Sequence, residues 1–171
     1  LKKLTEKLLK KTKGLKLGDG LNAKTDVGPL INEAQRQKVH AYCGIGIDEG
    51  AQLLTGGDYK KTNEYKNGYF YKPTIFTDVS PKMRIAQEEI FGPVVSIISC
   101  KGLDQAVEIV NDSRFGLSSA IYTQDVNRAF RAIEGLDTGI TYINSSTIGA
   151  EIQLPFGGTK KTGNGHREAG T

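Results

Sequence analysis

The stretch of this sequence best equipped for chemistry is Gln87-Glu88-Glu89-Ile90-Phe91-Gly92-Pro93-Val94. Two carboxylates precede an apolar pair, a Gly-Pro turn and an apolar run. In extended chain, adjacent side chains point to opposite sides, so only one of Glu88 and Glu89 can face a given site. A carboxylate beside an exposed aromatic suits gripping a sugar diol and covering a flat ring. The same residues describe a plain strand-entry loop, the reading that residue types alone favour, because isolated carboxylates are mostly solvated. Both readings stay open.

Other candidates are weaker. Gly158 to Gly163 has the spacing of a phosphate loop, but Asn164 stands where that loop needs lysine. His40 and His166 could act as bases, yet neither motif supplies a partnered nucleophile, so structural or exposed histidines are expected. Cys43 and Cys100 stand far apart and form neither a CxxC nor a metal-ligand spacing. Cys43 falls inside a helical pattern and Cys100 ends an apolar run. Both read as small buried hydrophobes. No catalytic residue and no metal ligand is therefore assigned.

The elements that must position these residues follow from periodicity. Leu1, Leu4 and Leu8, with Leu9 beside them, predict an amphipathic first helix over Leu1 to Lys16. Lys16 to Gly28 reads as a loop. Ala34, Val39, Tyr42 and Ile45 predict a helix over Asn32 to Glu49, closed by Gly50. Ala51 to Thr55 and Phe70 to Phe76 are strand candidates. Val94 to Cys100 reads as a strand buried on both faces. Helix Leu103 to Asn111, strand Ser118 to Tyr122, helix Val126 to Leu136 and strand Gly139 to Asn144 follow. This alternation predicts an α/β fold of three layers, a mostly parallel sheet with helices on both faces. In such sheets ligands gather at the carboxyl ends of the strands, here near Asp125 and Asn144.

Composition sets the outer bounds. The 171 residues suit one domain, and 37% hydrophobic with 25% charged residues describes a globular chain. The net charge is +4, yet seven lysines and one acid place +6 in Leu1 to Lys16 and leave −2 for the remainder. No aromatic interrupts the lysines to stack on bases, so a solvated helix face is expected rather than a nucleic-acid contact. No apolar run reaches the length of a membrane span and no signal peptide is apparent. The cysteine usage fits a reducing cytoplasm.

Glu88-Glu89-Ile90-Phe91-Gly92-Pro93-Val94 resembles the signature of the NAD(P)-dependent aldehyde dehydrogenase family. Asp26-Val27-Gly28-Pro29-Leu30-Ile31, Gly56-Gly57 and Asn111-x-x-x-Phe115-Gly116-Leu117-Ser118 match the family's order and spacing. Gly139-Ile140-x-x-Ile143-Asn144 and Pro155-Phe156-Gly157-Gly158 do so as well. The resemblance covers essentially the whole chain. It implies that Glu89 holds the nicotinamide-ribose hydroxyls and that Phe91 lies against the cofactor, NAD or NADP. It implies further that Gln35 and Lys38, one helical turn apart, approach that cofactor, and that Phe156 lines the aldehyde pocket. His166, before Arg167-Glu168, resembles branches acting on semialdehydes.

The resemblance also implies what these residues lack. The family's reaction begins when a cysteine thiolate attacks the aldehyde, and that cysteine sits in a Gly-Gln-x-Cys motif that these residues do not contain. The expected organisation is one partial catalytic domain over 1–171, without nucleophile segment or cofactor domain. Such a chain is expected to bind the cofactor weakly or not at all, to be inactive alone, and to form a homo-oligomer or dock a separate N-terminal chain. An independent enzyme recruiting Cys43 or Cys100 is the remaining alternative.

Overall fold

A computed structural model describes residues 1–60, 62 and 65–163. His166, Arg167 and Glu168 lie outside the described residues. Two compact units are present, 1–99 and 100–171.

The first unit opens with helix α1 (Lys2–Gly14), which lies against strand β1 (Gln52–Thr55). Its inward stripe is Thr5, Leu8, Leu9 and Thr12, all half-buried, whereas Leu1 and Leu4 are exposed. The expected Leu1-Leu4-Leu8 face is thus rotated toward the later leucine pair. Helix α2 (Glu33–Asp48) starts on Asn32, whose side chain accepts from Gln35 N at 2.8 Å. Its buried stripe is Arg36, Val39, Cys43 and Gly46, at helical spacing. Val39 is on the expected face; Tyr42 and Ile45 flank it half-buried, and Ala34 is exposed. The helix ends as Gly50 predicts. Gly50 takes φ +95°, its N–H donates to Ile47 O, and Ala51 N–H donates to Gly46 O. This is the paired-bond ending that a left-handed glycine allows.

Strand β2 (Thr74–Thr77) lies between β1, antiparallel, and β3 (Val94–Ser96), parallel. All four β2 residues are buried. The two-faced burial expected of Val94 to Cys100 belongs to β2 instead. Strand β3 is at the edge of its ladder, Val95 is exposed, and pairing ends at Ser96. Cys100 consequently lies beyond the strand and is exposed, contrary to its expected burial. Phe70 to Phe76 becomes strand only from Thr74, after Pro73, which can donate nothing to a ladder. The core gathers Val39, Cys43, Tyr71, Phe76, Val79, Ile85 and Ile90 between α2, β2 and the one-turn helix α3 (Arg84–Gln87).

The second unit contains α4 (Leu103–Asn111), β4 (Phe115–Gly116), β5 (Ser118–Ile121), α5 (Val126–Gly135), β6 (Ile140–Ile143) and β7 (Thr159–Lys160). Strands β5 and β6 pair in parallel with α5 as their crossover, and β4 pairs with β7 antiparallel. Asp125 caps α5 by accepting from Asn127 N and Arg128 N. The Asn111 carboxamide donates to Gly135 O and accepts from Asp137 N, tying α4 to the end of α5. The Asn144 carboxamide is spent on Thr123 N and O. Asp125 and Asn144, at the strand ends, thus have local structural work.

Candidate cofactor-facing loop

Glu88 leaves α3 in extended conformation, φ −114° and ψ 147°. Alternation then does what the sequence predicts and separates the two glutamates. Glu88 turns inward: Arg84 Nε and Nη2 donate to its two oxygens at 2.9 Å each, and Tyr42 Oη donates to Oε2 at 2.6 Å. Glu89 turns outward and is exposed.

The backbone after Glu88 is held from one face of α2. Lys38 Nζ donates to Glu89 O at 3.0 Å. Gln35 Nε2 donates to Ile90 O at 2.9 Å and Phe91 O at 2.8 Å. Gln35, Lys38 and Tyr42 therefore meet the loop in reverse order, each gripping a residue further back along it. Ile90 is buried in the core beneath. Phe91 takes a left-handed backbone, φ 56°, uncommon for an aromatic residue. Phe91 as a whole is 71% exposed. At Gly92 the chain passes so close to α2 that a Cβ would collide with Val39 Cγ2.

Beside Phe91 lies an open hollow of about 450 Å³ lined by Pro29, Leu30, Ile31, Gln35, Phe91 and Gly92. Sequence-distant motifs thus meet: the Asp26–Ile31 stretch supplies one wall and the glutamate loop the other. Of the predicted site residues, Glu89, Phe91, Gln35 and Lys38 come together here. Phe156 belongs to the second unit, where it is partly exposed, next to Leu154 and Pro155, which line a separate hollow of about 500 Å³. Sequence reasoning missed Tyr42 and Arg84. The signals were present: Arg84 and Glu88 are spaced i,i+4, and Tyr42 falls one turn beyond Lys38.

The remaining reactive side chains have ordinary partners. His40 Nδ1 lies 3.1 Å from Tyr71 Oη and its ring stacks on Tyr59. Cys43 is buried, and burial pushes its thiol up from the ordinary range, outweighing the lowering influence of the Tyr71 and Thr74 hydroxyls. A raised pKa keeps Cys43 protonated and unreactive at neutral pH. A thiol reagent at pH 7 is expected to modify Cys100 and spare Cys43, with both modified in denaturant. Mass spectrometry showing equal native rates would contradict this placement of Cys43. Among the described residues, no group of three or more His, Cys, Asp or Glu side chains is arranged to hold a metal ion. No helix among them is long and apolar enough to cross a membrane.

The aldehyde dehydrogenase family model matches residues 1–171, and the chain belongs to that family. It is 41% identical over 165 residues to the alpha-ketoglutaric semialdehyde dehydrogenase of Bacillus subtilis (strain 168), covering 96% of this chain and 34% of that protein. A betaine aldehyde dehydrogenase of Mesorhizobium japonicum is 40% identical over 167 residues, covering 98% and 34%. Among solved structures, betaine aldehyde dehydrogenase from Staphylococcus aureus in complex with NAD+ superposes with a TM-score of 0.93 at 35% identity, over 98% of this chain and 33% of that one. An NAD-dependent aldehyde dehydrogenase from Sinorhizobium meliloti gives 0.91 at 40% identity, over 98% and 32%. The chain spans about a third of the length of these relatives.

Proposed function

We propose that these 171 residues form the part of an NAD(P)-dependent aldehyde dehydrogenase that receives the nicotinamide-ribose end of the cofactor. The observation that carries this reading is the pairing of an outward Glu89 carboxylate with an outward Phe91 ring on a backbone held by Gln35 and Lys38. A carboxylate accepts hydrogen bonds from a ribose diol strongly because it is charged. An aromatic face at the rim of an apolar hollow suits a flat ring. The residues therefore fit the ribose end of the cofactor. When bound, the cofactor supplies hydride acceptance in the oxidation of an aldehyde to a carboxylate.

The roles of this chain's own residues follow. Glu89 accepts from the ribose hydroxyls. Phe91 excludes water from one side of the ring. Gln35 and Lys38 stand behind the same surface and fix the carbonyls of Glu89, Ile90 and Phe91. Phe156, with its aromatic side chain partly exposed, lines the aldehyde pocket. These 171 residues carry no Gly-Gln-x-Cys nucleophile, so they bind one end of the cofactor and perform no chemistry alone. They act as one partial catalytic domain, in a homo-oligomer, in the cytoplasm, with a nucleophile that these residues do not themselves supply. The similarity to semialdehyde and betaine aldehyde dehydrogenases favours a small polar aldehyde as substrate.

Nicotinamide mononucleotide, which is the ribose end alone, tests this by NMR titration. It is expected to shift amides 89–92 with millimolar affinity, and Glu89→Ala is expected to weaken that affinity by roughly ten- to a hundredfold, the value of a hydrogen bond to a charged group. Shifts that spare 89–92, or survive unchanged in Glu89→Ala, would overturn the reading.

A further inference from the structure

We infer that Glu88, the inward member of the glutamate pair, is a positioning residue that sets the orientation of Glu89 and Phe91, with Tyr42 and Arg84 as its anchors. For its purpose this inference rests on the cofactor reading above.

The loop has three fastenings to α2, and they differ in kind. Those from Gln35 and Lys38 grip backbone carbonyls, which any residue at 89–91 would offer. The third alone grips a side chain, and Glu88 alone can supply it. Arg84 presents a two-pronged guanidinium to both carboxylate oxygens, a geometry that fixes the carboxylate plane as well as its position. Tyr42 Oη closes on Oε2 from the other element. Its hydrogen bond to Glu88, then burial, push the Tyr42 hydroxyl above its ordinary range, so it stays a neutral donor. The guanidinium also lies 5.5 Å from the Tyr42 ring centre, within cation–π reach. Arg84 is itself placed by its backbone N–H, which donates to Glu49 Oε2 at the end of α2 at 2.8 Å.

The consequence follows from alternation. Residue 88 is extended, so fixing its side chain inward fixes residue 89 outward. Two residues later the chain must enter the left-handed conformation of Phe91, which a loop free at residue 88 would leave readily. Glu88 thereby governs the presentation of two side chains without sharing their surface. Of the two adjacent carboxylates, one is the ligand-facing group and the other is its mount.

Backbone order parameters from NMR relaxation, measured without nucleotide, test this. The native loop is expected at about 0.85 over residues 89–92, and Glu88→Ala at below about 0.6, with α2 and β2 unchanged. Glu88→Gln keeps an acceptor for Tyr42 but loses the ion pair, and is expected in between. Tyr42→Phe, which removes one hydroxyl, provides a second, milder loosening of the same residues should Glu88→Ala fail to fold. Residues 89–92 as ordered in Glu88→Ala, or in Tyr42→Phe, as in the native chain would overturn the inference. Because no nucleotide is present, this result is independent of the mononucleotide titration, in which a failure of the cofactor reading would show.

Discussion

Phe76→Ala is expected to destabilise the 1–99 unit by about 3–5 kcal/mol, the cost of truncating a fully buried phenylalanine and leaving its cavity. Phe76 is 0% exposed at the centre of β2. It pairs with Leu53 on one side and Ser96 on the other, and its carbonyl accepts from Ile97 N at 2.9 Å. The ring lies against α2, where a Cβ on Gly46 would come 3.4 Å from its Cε1. Domains of this kind have only about 5–15 kcal/mol in total, so the loss would take a large share. Urea unfolding read by tyrosine fluorescence suits the measurement, because the chain has no tryptophan and five of its seven tyrosines lie within 1–99. The midpoint should fall sharply for Phe76→Ala and much less for Phe76→Leu. Equal midpoints for Phe76→Ala and the native chain would show that β2 is not the core of that unit.

The same strand separates what the sequence makes legible from what it does not. Helices α2, α4 and α5 and strands β5 and β6 fall where periodicity places them, and the α2 ending follows from Gly50 alone. These features are local: a cap, a repeat of 3.6, a glycine able to take positive φ. Apart from the Phe70 to Phe76 strand, which Pro73 delays to Thr74, the main misplacements concern who covers whom. Val94 to Cys100 has the composition of a central strand, yet β3 is an edge and Val95 is exposed. Cys100 inherits its exposure from that strand's early end. Leu1 and Leu4 have the spacing of a buried face, but the half-buried positions of α1, which lies against β1, are Thr5, Leu8, Leu9 and Thr12. Apolar pattern says that a residue prefers cover and cannot say which neighbour provides it.

The site divides along the same line. That Glu88 and Glu89 must part company follows from the period of extended chain. Which one faces outward does not; it is decided by Arg84 and Tyr42, and Tyr42 comes from a helix far away in sequence. Resemblance to the family names Glu89, Phe91, Gln35, Lys38 and Phe156, and the structure brings the first four onto one surface. It does so through backbone carbonyls, whose partners no pattern of side-chain types reveals. The open hollow beside Phe91 is likewise built from two distant stretches, each unremarkable alone.

The proposed role, a cofactor-facing surface with no chemistry of its own, is tested most directly by aldehyde-dependent NAD(P)H formation by the purified chain, shown to be folded, over a panel of semialdehydes and betaine aldehyde. No turnover above background is expected from the chain alone. Turnover is expected once a chain carrying the family's Gly-Gln-x-Cys segment and cofactor domain is added, and its loss when the added cysteine is replaced by alanine. Turnover by the 171 residues alone, persisting through rigorous purification and abolished by Cys43→Ser or Cys100→Ser, would contradict the claim.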